Sequence, residues 1–258
     1  MEMKGIVLAG GTGTRLDPLT RITNKHLLPV YDRPMIFYAI QQLVDAGIDR
    51  IMTVTGGPSA GEFLRLLGNG SEFGLRHLDY TYQARAGGIA EALGLCEWFA
   101  AGDPVAVLLG DNIFEHSLRP YVERFLGRGA TGAHLVVTKV DNPSAYGVAE
   151  VKDGQIVRII EKPKDPPSDL ITTGFYLYEP GVFQFVKGLR PSARGELEIE
   201  DVNNRYIQLG SATFETAPGY WIDCGGSVDM LFRATRLVAE RGAIKPWPAL
   251  AGAATPAS

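Results

Sequence analysis

The chain has 258 residues, 45% of them apolar and 21% charged, enough to bury a substantial core without disulfide staples. Its 25 basic residues are outnumbered by 29 acidic ones, for a formal charge of −4. Binders of a phosphate backbone are usually basic, so no nucleic acid is expected as a partner. No apolar run reaches the roughly 18 residues of a membrane span. Met1-Glu2-Met3-Lys4 leads into a short apolar stretch without a small-residue cleavage site, so neither a membrane segment nor a signal peptide is expected.

In chain order, Met3 to Leu8 predicts a short strand that runs into glycines. Pro34 opens a helix whose apolar positions are Ile36, Ile40, Leu43 and Val44, and Gly47 closes it. Ile51 to Val54 predicts a strand, Glu62 to Leu67 a helix and Leu78 to Tyr82 a third strand. Ile89, Ala92, Leu93 and Cys96 mark one face of a further helix. Val105 to Leu109 is wholly apolar and ends in Gly110-Asp111, the pattern of a strand buried on both faces. After about Ala133 the pattern changes. Val148 to Val151 and Ile156 to Glu161 flank Lys152-Asp153-Gly154, predicting a hairpin with an Asp-Gly turn. Thr172 to Tyr178 predicts another strand, and Tyr206 to Thr216 a helix end followed by a strand. Ser227 to Glu240 predicts a terminal helix capped by Ser227. Pro246 to Ser258 is mostly Ala, Pro and Gly, and disorder is expected there. Strands alternating with helices predict an α/β fold: a doubly wound, mostly parallel sheet with a mixed, antiparallel elaboration. One continuous domain is expected over residues 1–245, with a core ending near residue 132, 133–245 as the second part and 246–258 as a tail.

The 31 glycines exceed the usual share of about 7%, and they cluster after apolar runs. Leu8-Ala9-Gly10-Gly11-Thr12-Gly13-Thr14-Arg15-Leu16 follows the first strand. Such a loop exposes backbone N–H groups that cradle phosphate oxygens, though a plain tight turn explains the glycines equally well. The loop is neither a dinucleotide fingerprint, which needs Gly where Leu16 stands, nor a P-loop, which needs Lys where Thr14 stands. Arg15 offers a bidentate cation and Lys25 a point charge. Asp111 stands beyond the C-terminal end of an apolar strand, where ligands of open α/β sheets bind. A carboxylate there suits Mg²⁺ or caps the next segment. Asp223, between Tyr220-Trp221-Ile222 and Cys224-Gly225-Gly226, repeats the arrangement. Glu161-Lys162-Pro163 ends the hairpin, either as a solvated edge or as a group for ligand hydroxyls and a second phosphate. The histidines give no metal-ligand spacing, and His26 reads as structural. Cys96 and Cys224 are too few for a disulfide framework, fit a reducing cytoplasm and read as small hydrophobes. A remote alternative is a serine hydrolase, since Gly57-Pro58-Ser59-Ala60-Gly61 matches a nucleophile elbow between a strand and a helix. Only one strand precedes that elbow's own, whereas a hydrolase has several, and Ser59 is expected to cap the helix instead.

Taken together, these segments resemble the sugar-1-phosphate nucleotidylyltransferases, and within them the thymidylyl-transferring branch. The matching pieces are GIVLAGGTGTRL from Gly5, NKHLLPVYDRPMI from Asn24, YQARAGGIAEAL from Tyr82 and LLGDNIF from Leu108. AYGVAE from Ala145, EKP from Glu161, TTGFYLYE from Thr172, RGELEIEDVN from Arg194 and WIDCGG from Trp221 complete them. The resemblance implies the nucleotide-diphospho-sugar transferase fold, with a Rossmann-like sheet. It implies that Gly10, Gly11, Thr12, Gly13, Arg15 and Lys25 bind the triphosphate and that Gln83 and Gly88 read the base. It implies that Asp111 and Asp223 hold Mg²⁺, and that Asn112, Tyr146, Gly147, Glu161, Lys162 and Thr173 form the sugar-phosphate pocket. Arg15, Lys25, Asp111, Lys162 and Asp223 then carry the chemistry.

The implied reaction joins dTTP and glucose 1-phosphate into dTDP-glucose and pyrophosphate, in the cytoplasm, by a homo-oligomer. The second pKa of a phosphate monoester is near ~6, so the sugar phosphate attacks as a dianion and needs no strong base. It needs relief of anion repulsion and in-line alignment. Uridylyl transfer stays open, because thymine and uracil share the edge that Gln83 reads. A non-catalytic sensor of nucleotide sugars would be expected to lack one of these acids or cations, and all five are present. Three features depart from the pattern. Cys224 and Gly226 replace Ala or Thr and then Thr, the side of the pocket that carries Thr173 usually begins with Val, and longer members continue past Ser258.

Overall fold

A computed structural model describes residues 2–11 and 13–243; Thr12 and the expected tail lie outside the described residues. Strand β1 (Lys4–Ala9) is followed by the glycine loop, a short ribbon of β2 (Pro29–Val30) and β3 (Arg33–Pro34), and helix α1 (Met35–Asp45). Next come β4 (Arg50–Gly56), α2 (Ala60–Leu67), β5 (His77–Gln83), α3 (Ile89–Gly94) and α4 (Glu97–Ala100). Then follow β6 (Val105–Leu109), β7 (Asn112–Phe114), α5 (Arg119–Gly127) and β8 (Ala133–Lys139). The remaining elements are β9 (Gly147–Lys152), β10 (Gln155–Glu161), β11 (Leu170–Tyr178), α6 (Val182–Lys187) and α7 (Ile199–Gln208). The described chain closes with β12 (Ala212–Thr216), β13 (Trp221–Asp223) and α8 (Val228–Arg241).

Nine strands form one sheet, with the path β10-β9-β11-β6-β1-β4-β5, β8 attached to β11 and β12 attached to β8. β1 pairs in parallel with β4 and β6, and β4 with β5, as the alternation of strands and helices predicts. β11 runs antiparallel to β6, so the antiparallel elaboration continues the parallel sheet directly. On β1, Val7 and Ala9 enter the apolar cluster beneath α1, whereas Ile6 and Leu8 enter the one beneath α3, α6 and α7. That two-sided burial is why the strand has no polar face. The β9–β10 hairpin turns at Asp153 and Gly154, both at positive φ (50° and 75°), as a primed turn requires.

Two expectations need correcting. The helix expected to run through Cys96 breaks after Gly94, and Cys96 instead starts the short α4. Ser59 stands at the start of α2 but makes no capping bond through its side chain. β8, α5, α6 and the ribbon of β7 with β13 were not anticipated. A nucleophile elbow at Ser59 is also poorly placed, because β4 is next to the edge strand β5.

α7 is tied to edge strand β10 through Asn204, whose Oδ1 accepts from Ile159 N and whose Nδ2 donates to Ile159 O, each at 2.8 Å. Asn204→Ala leaves both edge groups without these partners and should lower unfolding free energy by about 1–3 kcal/mol, measured by urea titration. Asn204→Asp, which keeps only the acceptor, should fall between the two.

Candidate active site

β1, β4 and β6 are parallel, so their C-terminal ends open on one side of the sheet. After β6, Gly110 N still donates to Leu8 O at 2.9 Å, and Asp111 emerges just beyond. The next three residues form β7, which pairs with β13 so that Asn112 faces Asp223, Ile113 faces Ile222 and Phe114 faces Trp221. Cys224 N then donates to Asp111 O at 2.8 Å. This ribbon brings together two acids that are far apart in sequence. Its outer side packs under α8, where Ile113, Ile222 and Cys224 join Ala234 and Val238 in an apolar cluster.

Side chains hold the acids in place. Asn112 Nδ2 donates to Asp111 Oδ1 at 3.0 Å, while its Oδ1 accepts from Trp221 Nε1 at 2.7 Å and from Gly174 N at 2.9 Å. Gly225 N donates to Asp223 Oδ1 at 2.9 Å. Lys25 Nζ donates to Asp111 Oδ2 at 2.5 Å. A β-carbon on residue 225 would lie 2.5 Å from Asp111 Oδ2 and 2.8 Å from Lys25 Nζ, so the WIDCGG segment needs glycine there for lack of space.

The two carboxyls have opposite electrostatics. Burial pushes the Asp111 carboxyl up, but Lys25 more than offsets this and holds it well below the usual carboxylate range. Burial raises the Asp223 carboxyl to about 7; the charge of Asp111 adds to the rise and Lys25 opposes it. Lys25 itself is lowered by burial but raised on balance by Asp111. His26 is buried beside Lys25, which together depress its imidazole to about 3. Its Nδ1 lies 2.8 Å from Asn24 Oδ1, consistent with the structural role expected of it. Burial pushes the Cys224 thiol well up, as a small hydrophobe requires.

Two cavities meet at this acidic centre. One, of about 240 Å³, is lined by Gly10, Gly11, Lys25, Gln83, Gly88 and Asp111, the expected nucleotide residues. Gln83 Nε2 donates to Gly88 O at 3.1 Å and to Glu91 Oε1 at 3.2 Å, which leaves its Oε1 as an acceptor. Gly88 has φ +97°, and a β-carbon there would lie 2.4 Å from Leu197 O. Only glycine meets both constraints. Gly13 lines neither cavity; at φ +65° it leads into the turn Thr14–Leu16 and packs against Lys25.

The other cavity, of about 190 Å³, is lined by Arg15, Asp111, Asn112, Tyr146, Gly147, Glu161, Lys162, Thr173 and Asp223. The register of β11 against β8 slips between Thr172 and Tyr176, and this bulge carries Thr172, Thr173 and Gly174 to the cavity wall. The Thr173 hydroxyl donates to Val136 O at 2.8 Å, so it faces β8. Lys162 sits at φ +44° directly before Pro163, a strained conformation of the kind that persists at functional sites. Its Nζ donates to Glu161 Oε1 at 2.6 Å, and Arg194 Nη2 donates to the same oxygen at 2.9 Å. Sequence reasoning assigned no role to Glu196, which lines the first cavity, or to Thr172, Glu200 and Trp221, which line the second. All four lie in segments that carried the family resemblance, so the motifs held the signal.

A parallel sheet whose C-terminal edge joins two cavities at a pair of acids is the arrangement of an α/β enzyme site. Residues 4–241 match the nucleotidyl transferase family, and the chain belongs to that family. It is 47% identical over 233 residues to the glucose-1-phosphate thymidylyltransferase of Actinoplanes sp., covering 89% of this chain and 76% of that one. A Bacillus anthracis structure assigned as a glucose-1-phosphate thymidylyltransferase, in complex with sucrose, superposes with a TM-score of 0.88 at 48% identity. That match covers 92% of this chain and 96% of the other. A UDP-glucose pyrophosphorylase complexed with UDP-glucose matches at a TM-score of 0.79 and 25% identity, over 93% of this chain and 99% of its own. Among the described residues no helix is long and apolar enough to cross a membrane.

Asp223 carries a stability signature. The unfolded carboxyl releases its proton near ~3.9, while the folded one keeps it to about 7. Asp223 therefore weakens the fold progressively between those values, and the penalty is fully present above about pH 7. In metal-free buffer, Asp223→Asn should unfold at higher temperature than wild type at pH 8, by on the order of 1–3 kcal/mol. The difference should shrink by pH 5 in a thermal melt.

Proposed function

We propose that the chain transfers the thymidylyl group of dTTP to α-D-glucose 1-phosphate, giving dTDP-glucose and pyrophosphate. The observation that carries this reading is the meeting of the two cavities at Asp111, one lined by Gln83 and Gly88, the other by Lys162. The names of the relatives supply the nucleotide and the sugar.

In this reading Gln83 Oε1 accepts the N3–H of the pyrimidine, a proton that thymine and uracil have and cytosine lacks. The backbone N–H groups of the glycine loop, with Arg15 and Lys25, take the triphosphate oxygens. Lys25 leaves Asp111 for phosphate as the ligand enters. Lys162 holds the phosphate of the sugar, and its strained backbone keeps the ammonium in one place. The dianionic sugar phosphate is thus aligned with the α-phosphorus, and pyrophosphate leaves on the opposite side. Positioning and charge neutralisation suffice, which accounts for a centre without a nucleophilic Ser or Cys.

Asp111 and Asp223 fit a divalent cation. Both are hard oxygen donors lining one cavity, and burial with the charge of Asp111 raises the Asp223 carboxyl, a state that a cation would relieve. Among the described residues no group of three or more His, Cys, Asp or Glu could hold a metal unaided. Phosphate oxygens and water would complete the shell, which is how Mg²⁺ is usually held. When bound, Mg²⁺ supplies charge stabilisation at the reacting phosphate. Residues 1–132 provide most of the nucleotide cavity and 133–243 most of the sugar cavity, with Glu196 reaching into the first and Arg15, Asp111 and Asn112 into the second. Exposed Val228 and Phe232 on α8 suit association of copies, and the two buried free cysteines suit cytoplasmic work.

Pyrophosphate release with glucose 1-phosphate should be fastest per unit of nucleotide with dTTP. UTP should come second and remain measurable, because one methyl group discriminates only about 10–200-fold. GTP as the best substrate would overturn the thymidylyl reading. Asp111→Asn and Asp223→Asn should each remove most of kcat at saturating Mg²⁺, and the double variant should be scarcely worse than the worse single one. Cys224→Ala should keep its metal dependence. Near-normal kcat in Asp223→Asn would make Asp223 a structural acid.

A further inference from the structure

The sugar cavity contains a buried carboxyl that the proposed reaction leaves unused. Glu200, in the first turn of α7, lines the cavity yet is only 6% exposed. Its neighbours are already committed. Glu161 is bound by Lys162 and Arg194, and Glu198 by Arg194 and by Ser192. Asp111 is bound by Lys25. Glu200 is without such a cation: among the described residues, no side chain donates a hydrogen bond to its carboxyl.

Its place is defined from below by Gly147. A β-carbon on residue 147 would lie 2.7 Å from Glu200 Oε1 and 2.8 Å from Thr172 Oγ1, so the carboxyl occupies space that a side chain would fill. Burial and the charge of Glu161 raise this carboxyl to about 8, with Lys162 opposing. A buried acid next to another acid, open to a ligand cavity and lacking a cation, is complementary to a ligand that brings one.

We propose that Glu200 is a specificity-determining residue of the sugar subsite, and that its unpaired carboxyl admits hexose 1-phosphates bearing a ring ammonium group. This rests on the reading of that cavity as the sugar-phosphate site. The ammonium supplies a counter-charge and donates to a carboxylate oxygen, while Lys162 takes the phosphate of the same ligand. A hydroxyl at the same ring carbon also donates to Glu200 but brings no charge, so glucose 1-phosphate remains a substrate.

The test compares kcat/KM for glucose 1-phosphate with that for hexose 1-phosphates carrying one amino group at C2, C3, C4 or C6, all with dTTP. The quantity read is the amino-to-hydroxyl ratio at each carbon. In wild type, one position should show a ratio well above the other three. In Glu200→Gln, which keeps size and hydrogen bonding but not charge, that ratio alone should fall tenfold or more. A merely structural role would change all four ratios and the glucose rate together. Binding of dTTP by the variant, followed by calorimetry, reports that it is folded. Ratios that are equal at all positions, or unchanged in Glu200→Gln, would overturn the proposal. Failure of wild type to use any hexose 1-phosphate would instead overturn the reading of the cavity itself.

Discussion

Two carboxyl groups held together in a buried place are the constraint around which this protein is arranged. Asp111 and Asp223 repel each other, and burial makes the repulsion worse. Nothing local keeps them adjacent. The ribbon of β7 and β13 does so, by setting Asn112 opposite Asp223 in a fixed register. Three residue pairs make a weak ribbon on their own. It is stable here because its outer face packs under α8 and because Asn112 is bonded at both ends of its amide. Helix α8 thus supports the acidic centre, and the buried Cys224 packs in the cluster between them.

The same centre explains how the two halves of the sheet are joined. The parallel half brings a glycine loop and Asp111 to one edge, because parallel strands all end on the same side. The antiparallel half is attached through β11, which runs against β6 and is bulged where it passes the site. The bulge turns Gly174 N toward Asn112. One amide group therefore links the acid of the first half, the indole of Trp221 and the bulged strand of the second. The two cavities meet only because these connections are short.

Much of the fold was legible in the sequence. Apolar runs marked β1, β4 and β6, the Asp-Gly pair marked the hairpin, and Ser227 capped α8 through Met230 N as expected. Other parts were not. β7 and β13 are three residues each, too short for any period to show. The helix expected through Cys96 broke because tertiary packing of Leu93 and Phe99 on one cluster does not need a continuous helix between them. Glu196 and Glu200 stand in a matching segment without a task of their own, because only packing against distant strands brings them to the cavities.

From the sequence alone came the parts list: a phosphate-cradling loop, acids placed after apolar strands, cations without a nucleophile, and a family to compare with. These follow from local rules, since residue type and spacing decide where a strand ends and which groups stand beyond it. The tertiary structure decided which groups meet and in what state. Asp223 keeps its proton to about 7, whereas Asp111, paired with Lys25, does not. Glu161 has two cations and Glu200 none. Burial and the distance to remote charges set those differences, and both arise only when segments distant in sequence pack together.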